Sequence, residues 1–282
     1  MNTLKTFVLM GTLTFILLLI GNALGGHNGV VIALIMAGVM NFISYWYSDK
    51  IVLSMYGAQP VERGTYLYQI VEKLARSADL PMPKVYIINE AQPNAFATGR
   101  NPKNAAVAVT RGLMDLVDEN ELSGVIGHEL GHVHNRDILI STVAATMAGA
   151  ISFLASMARW AAIFGGGSSR DDDDRGSNPL ALIGIAIFAP MAAMLVQMAI
   201  SRTREFKADR FGAKVSGNPI YLANALRKLD LYSRRIPMPN AAPATENMFI
   251  VSPLAGNKMA NLFSTHPSTE ERIKKLEDMR FE

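Results

Sequence analysis

Four stretches without a single charged residue, 6–24, 30–47, 138–158 and 180–200, constrain this chain more than any other feature of its sequence. Each approaches the ~20 residues that a helix needs to cross the hydrocarbon core of a bilayer. Backbone inside lipid has to satisfy its own hydrogen bonds, so stretches of this kind are expected as helices. The sequence therefore predicts a mainly α membrane protein with four transmembrane helices. Residues 25–29 alone separate the first two runs, and Asn22-Ala23-Leu24-Gly25 is a poor cleavage site, which favours an uncleaved hairpin over a removed signal peptide. Tyr45, Trp46 and Tyr47 close the second run as an interfacial aromatic belt would, and Asp49-Lys50 begin the polar side. The Gly, Ser and Thr of the third run would let helices approach closely, with a re-entrant segment as the alternative. Between the third and fourth runs, residues 165–174 combine glycine, serine and four aspartates, the composition of a solvated linker or of a cation-binding loop.

Outside the runs the sequence reads as an α+β domain. Tyr66, Leu67, Ile70, Val71 and Leu74 recur at helical spacing, and the pattern ends at Asp79-Leu80-Pro81. Residues 84–89, 95–98 and 105–110 read as strands, the last two joined by the turn-rich 99–104, so a small antiparallel sheet is expected. Such a sheet either offers its edge to an extended peptide or only covers the core. Asn218-Pro219 opens a helix carrying Leu222, Leu226 and Leu229, and a last helix around 270–279 buries Ile273, Leu276 and Met279. Residues 236–264 lack periodicity and form either a loop over a cleft or a passive connection.

Inside the soluble part, His128-Glu129-Leu130-Gly131-His132 places two imidazoles one helical turn apart on one face, the spacing that two ligands of one zinc ion require. Glu129 between them is placed to take a proton from the attacking water of a peptide hydrolysis. Asp118 with Glu121 resembles a capping box, and Leu122, Val125, Ile126 and Leu130 give the helix an apolar face. The competing reading is a surface helix with solvated histidines. The chain has no cysteine, so disulfides and thiolate ligands are excluded and a metal has to be held by nitrogen and oxygen. Its net charge of +3 comes without an aromatic-interleaved basic patch, which argues against nucleic acid as a partner.

A zinc site with two histidines needs a third protein ligand, commonly a carboxylate from another helix, and Glu205 is the candidate. Asp209, one turn later, can hydrogen-bond the outer nitrogen of a ligating histidine. Arg202, Arg204, Lys207 and Arg210 crowd the same segment and read as anchors to lipid headgroups at the end of the fourth run. His266 is either an oxyanion donor or a structural histidine; His134 reads as solvated, and His27 lies in the short outer loop.

His-Glu-x-x-His followed by Glu205-x-x-x-Asp209, with one pair of hydrophobic runs before the metal helix and another between the motifs, resembles the HtpX family of bacterial membrane zinc metalloproteases, of the gluzincin type. Asn94-Ala95-Phe96-Ala97 and His266-Pro267 extend the likeness over nearly the whole chain. The resemblance implies a zincin-like domain with one zinc ion, held by His128, His132 and Glu205, and Glu129 as catalytic base. It also implies a cytoplasm-facing endopeptidase of the inner membrane that removes misfolded membrane proteins under stress and cleaves itself.

Topology supplies a separate constraint. His128 and Glu205 can share an ion only if the chain crosses the membrane an even number of times between them. Of the 27 Lys and Arg, 24 fall on the face that this assigns to the cytoplasm, and Lys5, Lys50, Arg136, Arg202 and Arg204 lie close to span ends. The expected division is a hairpin (1–48), a first part of the protease domain (49–137), a second hydrophobic pair with its acidic loop (138–200) and the rest of the protease domain (201–282). A transport or scaffolding protein with a structural zinc site is the rival, but such a site usually has four protein ligands and needs no base between its histidines. Intramembrane proteolysis is a narrower rival, disfavoured because His134, Asn135, Arg136 and Asp137 follow the motif where a hydrophobic run would be needed.

Overall fold

The computed structural model describes residues 2–143, 202–233, 250 and 267–280. The third run beyond residue 143, the fourth run, the acidic loop, His266 and residues 236–264 other than Ile250 lie outside the described residues.

Helix α1 (Asn2–Met55) contains both N-terminal runs and is broken at Gly25 and Gly26. Gly26 has φ +54° and ψ −137°, a conformation that costs a residue with a Cβ too much and costs glycine little. The two arms fold back on each other: Asn41 Nδ2 donates to Thr14 Oγ1 at 2.9 Å, and a Cβ on Gly21 would come within 2.5 Å of the Gly29 carbonyl oxygen. The expected hairpin is therefore present. Its second arm, Gly25–Met55, is the one helix among the described residues that is long and apolar enough to cross a membrane; Thr6–Leu19 in the first arm is apolar but shorter. Phe7, Phe15, Ile32, Ile35, Val39 and Phe42 stay more than half exposed on the outside of the hairpin, as side chains facing lipid would. The helix also runs past the aromatic belt, and Val52 and Leu53 near its end are buried against the sheet.

The sheet has four strands in the order β1-β2-β4-β3: β1 (Gln59–Pro60), β2 (Lys84–Ile88), β3 (Ala95–Gly99) and β4 (Ala105–Thr110). It is mixed, which corrects the expectation of an antiparallel sheet: β3 and β4 form the antiparallel hairpin, but β2 pairs with β4 in parallel, Val85 opposite Val107 and Ile87 opposite Val109. Alternation marks a segment as a strand without saying which neighbour it takes. Here the chain leaves β2, runs out along the edge as β3 and returns between the two. Every residue of β4 is buried, because both faces are covered. Ala106 and Ala108 pack with Phe96 against Val52 and Leu53, while Val107 and Val109 face the core formed with α2 (Tyr66–Ser77) and the helices that follow.

A short α3 (Arg111–Leu116) leads into α4 (Glu119–His134), whose first turn is closed by the expected capping box. Glu121 N donates to Asp118 Oδ1 at 2.9 Å and Asp118 N to Glu121 Oε2 at 3.0 Å. Leu122, Val125, Ile126 and Leu130 are buried, as their spacing requires. Another face of α4 is a ridge of Gly124, Gly127 and Gly131. It receives α5 (Arg202–Ser216) and α6 (Pro219–Ser233) at backbone distance: a Cβ on Gly131 would lie 2.9 Å from the Ala208 Cα, and one on Gly124 would lie 2.5 Å from the Leu222 N. Gly212 answers from α5, where a Cβ would lie 2.5 Å from the His128 N. The last helix, α7 (Thr269–Glu277), is capped by Ser268 and buries Leu276.

The ridge yields a stability test. Gly127→Val should lower thermal stability by about 1–3 kcal/mol or more, because the Gly212 backbone cannot retreat from a new side chain as a flexible one would. Gly38→Ala, on a helical residue with nothing within 4 Å of the added Cβ, should leave the melting temperature unchanged or raise it. Thermal unfolding in detergent measures both.

Candidate metal centre

Helix α4 presents His128 and His132 on one side, and the close approach of α5 brings Glu205, in its first turn, against both. His128 Nε2 lies 3.2 Å from His132 Nε2 and 3.7 Å from Glu205 Oε2, and His132 Nε2 lies 3.6 Å from Glu205 Oε1. The donor–donor edge of a tetrahedral zinc site with bonds of about 2.0–2.1 Å is about 3.3 Å, so the three donors already stand at the separations of such a site. Charge gives a second fit. Glu129, Asp137, Glu205 and Asp209 are buried around the site with Arg204 and Arg272, an excess of two negative charges when all are ionised, which one divalent cation cancels. Burial lowers the pKa of His132, but Glu205, Asp137 and Glu129 outweigh it and raise it to about 9.

The outer nitrogens of both histidines meet carboxylates. His128 Nδ1 lies 2.8 Å from Asp209 Oδ1, so Asp209 stands where the sequence reading placed it. Asp209 is gripped in turn by Arg272, whose Nε donates to Oδ2 at 2.9 Å and Nη2 to Oδ1 at 2.7 Å, while Nη1 donates to the Ile250 carbonyl at 2.7 Å. Burial would raise the Asp209 carboxyl; the Arg272 charge and the His128 hydrogen bond overcome it and hold it below the usual carboxylate range. An ionised Asp209 fixes the proton on His128 Nδ1 and leaves the Nε2 lone pair for a metal. Burial lowers the pKa of His128 itself, which favours the neutral ring. His132 Nδ1 has the longer contact, 3.4 Å to Asp137 Oδ2.

Three of these groups escaped the sequence reading. Arg272 carried a signal, since it shares an inward face with Leu276 one turn later, a charge in an apolar stripe. Asp137 carried one less clearly, as the last polar residue before a hydrophobic run. Arg204 departs from the expected set of lipid anchors: Arg202, Lys207 and Arg210 are exposed, but Arg204 is buried. Its guanidinium nitrogens make no hydrogen bond among the described residues. Burial lowers its pKa, and the charges of Asp137 and Glu205 oppose that shift. His134 is exposed and stacks on Phe211 at 4.5 Å between ring centroids, away from the donors.

Glu129 turns from the metal helix toward the sheet. Its Oε2 accepts the Ala97 N–H at 2.8 Å, and Ala97 belongs to β3, the outer strand on that side. Burial pushes the carboxyl up to about 7; Glu205 adds to the shift, and His132, the Ala97 N–H and Arg272 oppose it. A carboxylate held near neutrality both accepts and returns a proton readily.

Peptidase family M48 matches residues 62–280. A protein described as Protease HtpX homolog from Syntrophotalea carbinolica is 58% identical, the alignment covering 99% of each chain. Protease HtpX of Legionella pneumophila is 52% identical, again over 99% of each. The crystal structure of S. mikatae Ste24p shares the fold, with a TM-score of 0.52 at 18% identity over 98% of this chain and 65% of that one.

The Arg272 grip on Asp209 is open to a double-variant test. Arg272→Met leaves a buried carboxylate unpaired and should cost about 3–5 kcal/mol. Combining it with Asp209→Asn should recover part of that loss, since the charge then goes with its partner. Thermal unfolding in the presence of a chelator measures both without interference from the metal, and an Arg272→Met protein of wild-type stability would contradict the assignment.

Proposed function

The chain belongs to peptidase family M48, together with the HtpX proteases, and on that footing we propose that it is a membrane-bound zinc endopeptidase acting on misfolded or damaged membrane proteins, including copies of itself. The observation that carries the proposal is the position of Glu129. Its carboxylate lies between a three-donor cluster and the backbone of an outer strand, where a peptide carbonyl and a water would have to meet.

His128, His132 and Glu205 would hold the ion, leaving a further position for water or substrate. A bound zinc ion supplies Lewis-acid polarisation of the peptide carbonyl and makes water more acidic. The protein's own groups do the rest. Glu129 accepts the proton of the attacking water and returns it to the leaving amine. The Ala97 N–H holds that carboxylate in place before substrate arrives, and β3 offers a backbone along which an extended peptide can pair. Pairing through backbone needs little from side chains, which suits an enzyme that disposes of varied damaged proteins. Arg272 and Asp209 keep the His128 ring oriented throughout.

The bias of Lys and Arg toward one side supports an active site facing the cytoplasm from the bacterial inner membrane. A transporter or scaffold with a structural zinc site is less favoured, because the donor set has three protein ligands among the described residues and a carboxylate poised beside them.

Glu129→Gln should abolish proteolysis of an unfolded protein and retain zinc, while Glu205→Ala should lose both metal and activity. Measured together, metal content and cleavage separate base from ligand; proteolysis surviving in Glu129→Gln would overturn the mechanism.

A further inference from the structure

Strand β3 and the membrane helix run side by side. Phe96 near the start of the strand meets Tyr56 just past the end of α1, with ring centroids 5.4 Å apart, and Arg100 just past the strand's other end lies over Trp46, 4.5 Å from the ring. From Tyr56 back to Trp46 a helix advances about 15 Å. From Phe96 to Arg100 a strand advances about 13 Å, so the two axes are nearly aligned. Trp46 is part of the aromatic group that ends the apolar run, where it contacts Phe42 and Tyr45, and Lys50 lies over Tyr47 one turn further on. Aromatic and basic side chains so placed mark the headgroup level. A span set along the membrane normal would therefore hold the strand beside the catalytic carboxylate along that normal, with its Gly99–Arg100 end at the headgroup level.

From this alignment we infer that the enzyme measures its cut from the membrane: it takes the stretch of a substrate that emerges directly from a span and hydrolyses it at a set height. The inference rests on the endopeptidase reading above. Ala97, whose N–H is bonded to Glu129, lies three residues from Arg100, about 10 Å along the strand. The Asn94 end is occupied by the backbone of residue 250, whose N–H donates to Asn94 Oδ1 at 3.4 Å, whereas Arg100 at the membrane end is partly exposed. A tail leaving the membrane from the C-terminal end of a span runs opposite to β3 and so pairs with it antiparallel. At about 3.3 Å per residue, its scissile bond falls roughly three to six residues beyond the end of the span. Arg100 and Trp46 then act on specificity, by fixing the height of the strand, and take no part in the chemistry.

The test uses full-length enzyme reconstituted in vesicles with a single-span substrate carrying a long unstructured C-terminal cytoplasmic tail, its cut sites mapped by mass spectrometry. A polar spacer inserted at the span end should leave the cut at the same distance from the membrane, now within the spacer. Arg100→Glu combined with Trp46→Ala should spread the cuts along the tail, while water-soluble unfolded casein is still cleaved above the Glu129→Gln background. Cuts that follow their original sequence past the spacer, or that scatter along the tail with wild-type enzyme, would overturn the inference and leave the protease reading standing. Cleavage of neither substrate above the Glu129→Gln background would overturn that reading, and this inference with it.

Discussion

Two helices separated by more than sixty residues touch through their backbones, and the rest of the site depends on that contact. Glu205 can reach two histidines on α4 only if α5 comes closer than ordinary side chains permit. Gly127 and Gly131 on one helix and Ala208 and Gly212 on the other make room for it. The packing is not adjustable in the way a side-chain interface is, because the atoms that would collide are main-chain atoms. The candidate metal site assembled in this way is preorganised: the fold holds the three donors near the separations that coordination would require.

Preorganisation has an electrostatic cost. Carboxylates and guanidiniums withdrawn from water lose hydration worth several kcal/mol per ion, which mutual attraction recovers only when the geometry is good. Arg272 and Asp209 meet that condition with two parallel hydrogen bonds, and the pair ties α7, α5 and the metal helix to one another. Arg204 meets it poorly, set among the charges of Asp137 and Glu205 without a hydrogen bond among the described residues. The remaining negative charge is what a divalent cation would neutralise, so binding the metal and stabilising the fold draw on the same excess charge.

Features determined within a few residues were legible in the sequence. Helix α4, its capping box and the one-turn spacing of His128 and His132 depend on local periodicity alone. The hairpin of α1 and the strands β3 and β4 followed from charge-free runs and turn residues. Glu205 and Asp209 were legible because a site with two histidines still lacks a third ligand and a partner for its outer nitrogens; other features that depend on a distant partner were not. The parallel pairing of β2 with β4 depends on which strand fills the centre of the sheet. The burial of Arg204 goes with the charges of Asp137 and Glu205 near it, and the meaning of Gly124, Gly127 and Gly131 depends on α5 and α6. Glycines at such spacing inside a helix full of good apolar residues were a sign of close packing, since without that purpose each weakens the helix by about 1 kcal/mol.

Local spacing sets two imidazoles side by side on α4, and the close packing of α5 adds the Glu205 carboxylate, so that one ion could take all three. X-ray absorption at the zinc edge on the full-length protein tests it most directly. The expected result is a four-coordinate ion with two imidazole nitrogens and oxygen donors at about 2.0–2.2 Å. A spectrum with no imidazole scattering, or a six-coordinate shell made wholly of oxygen, would contradict it.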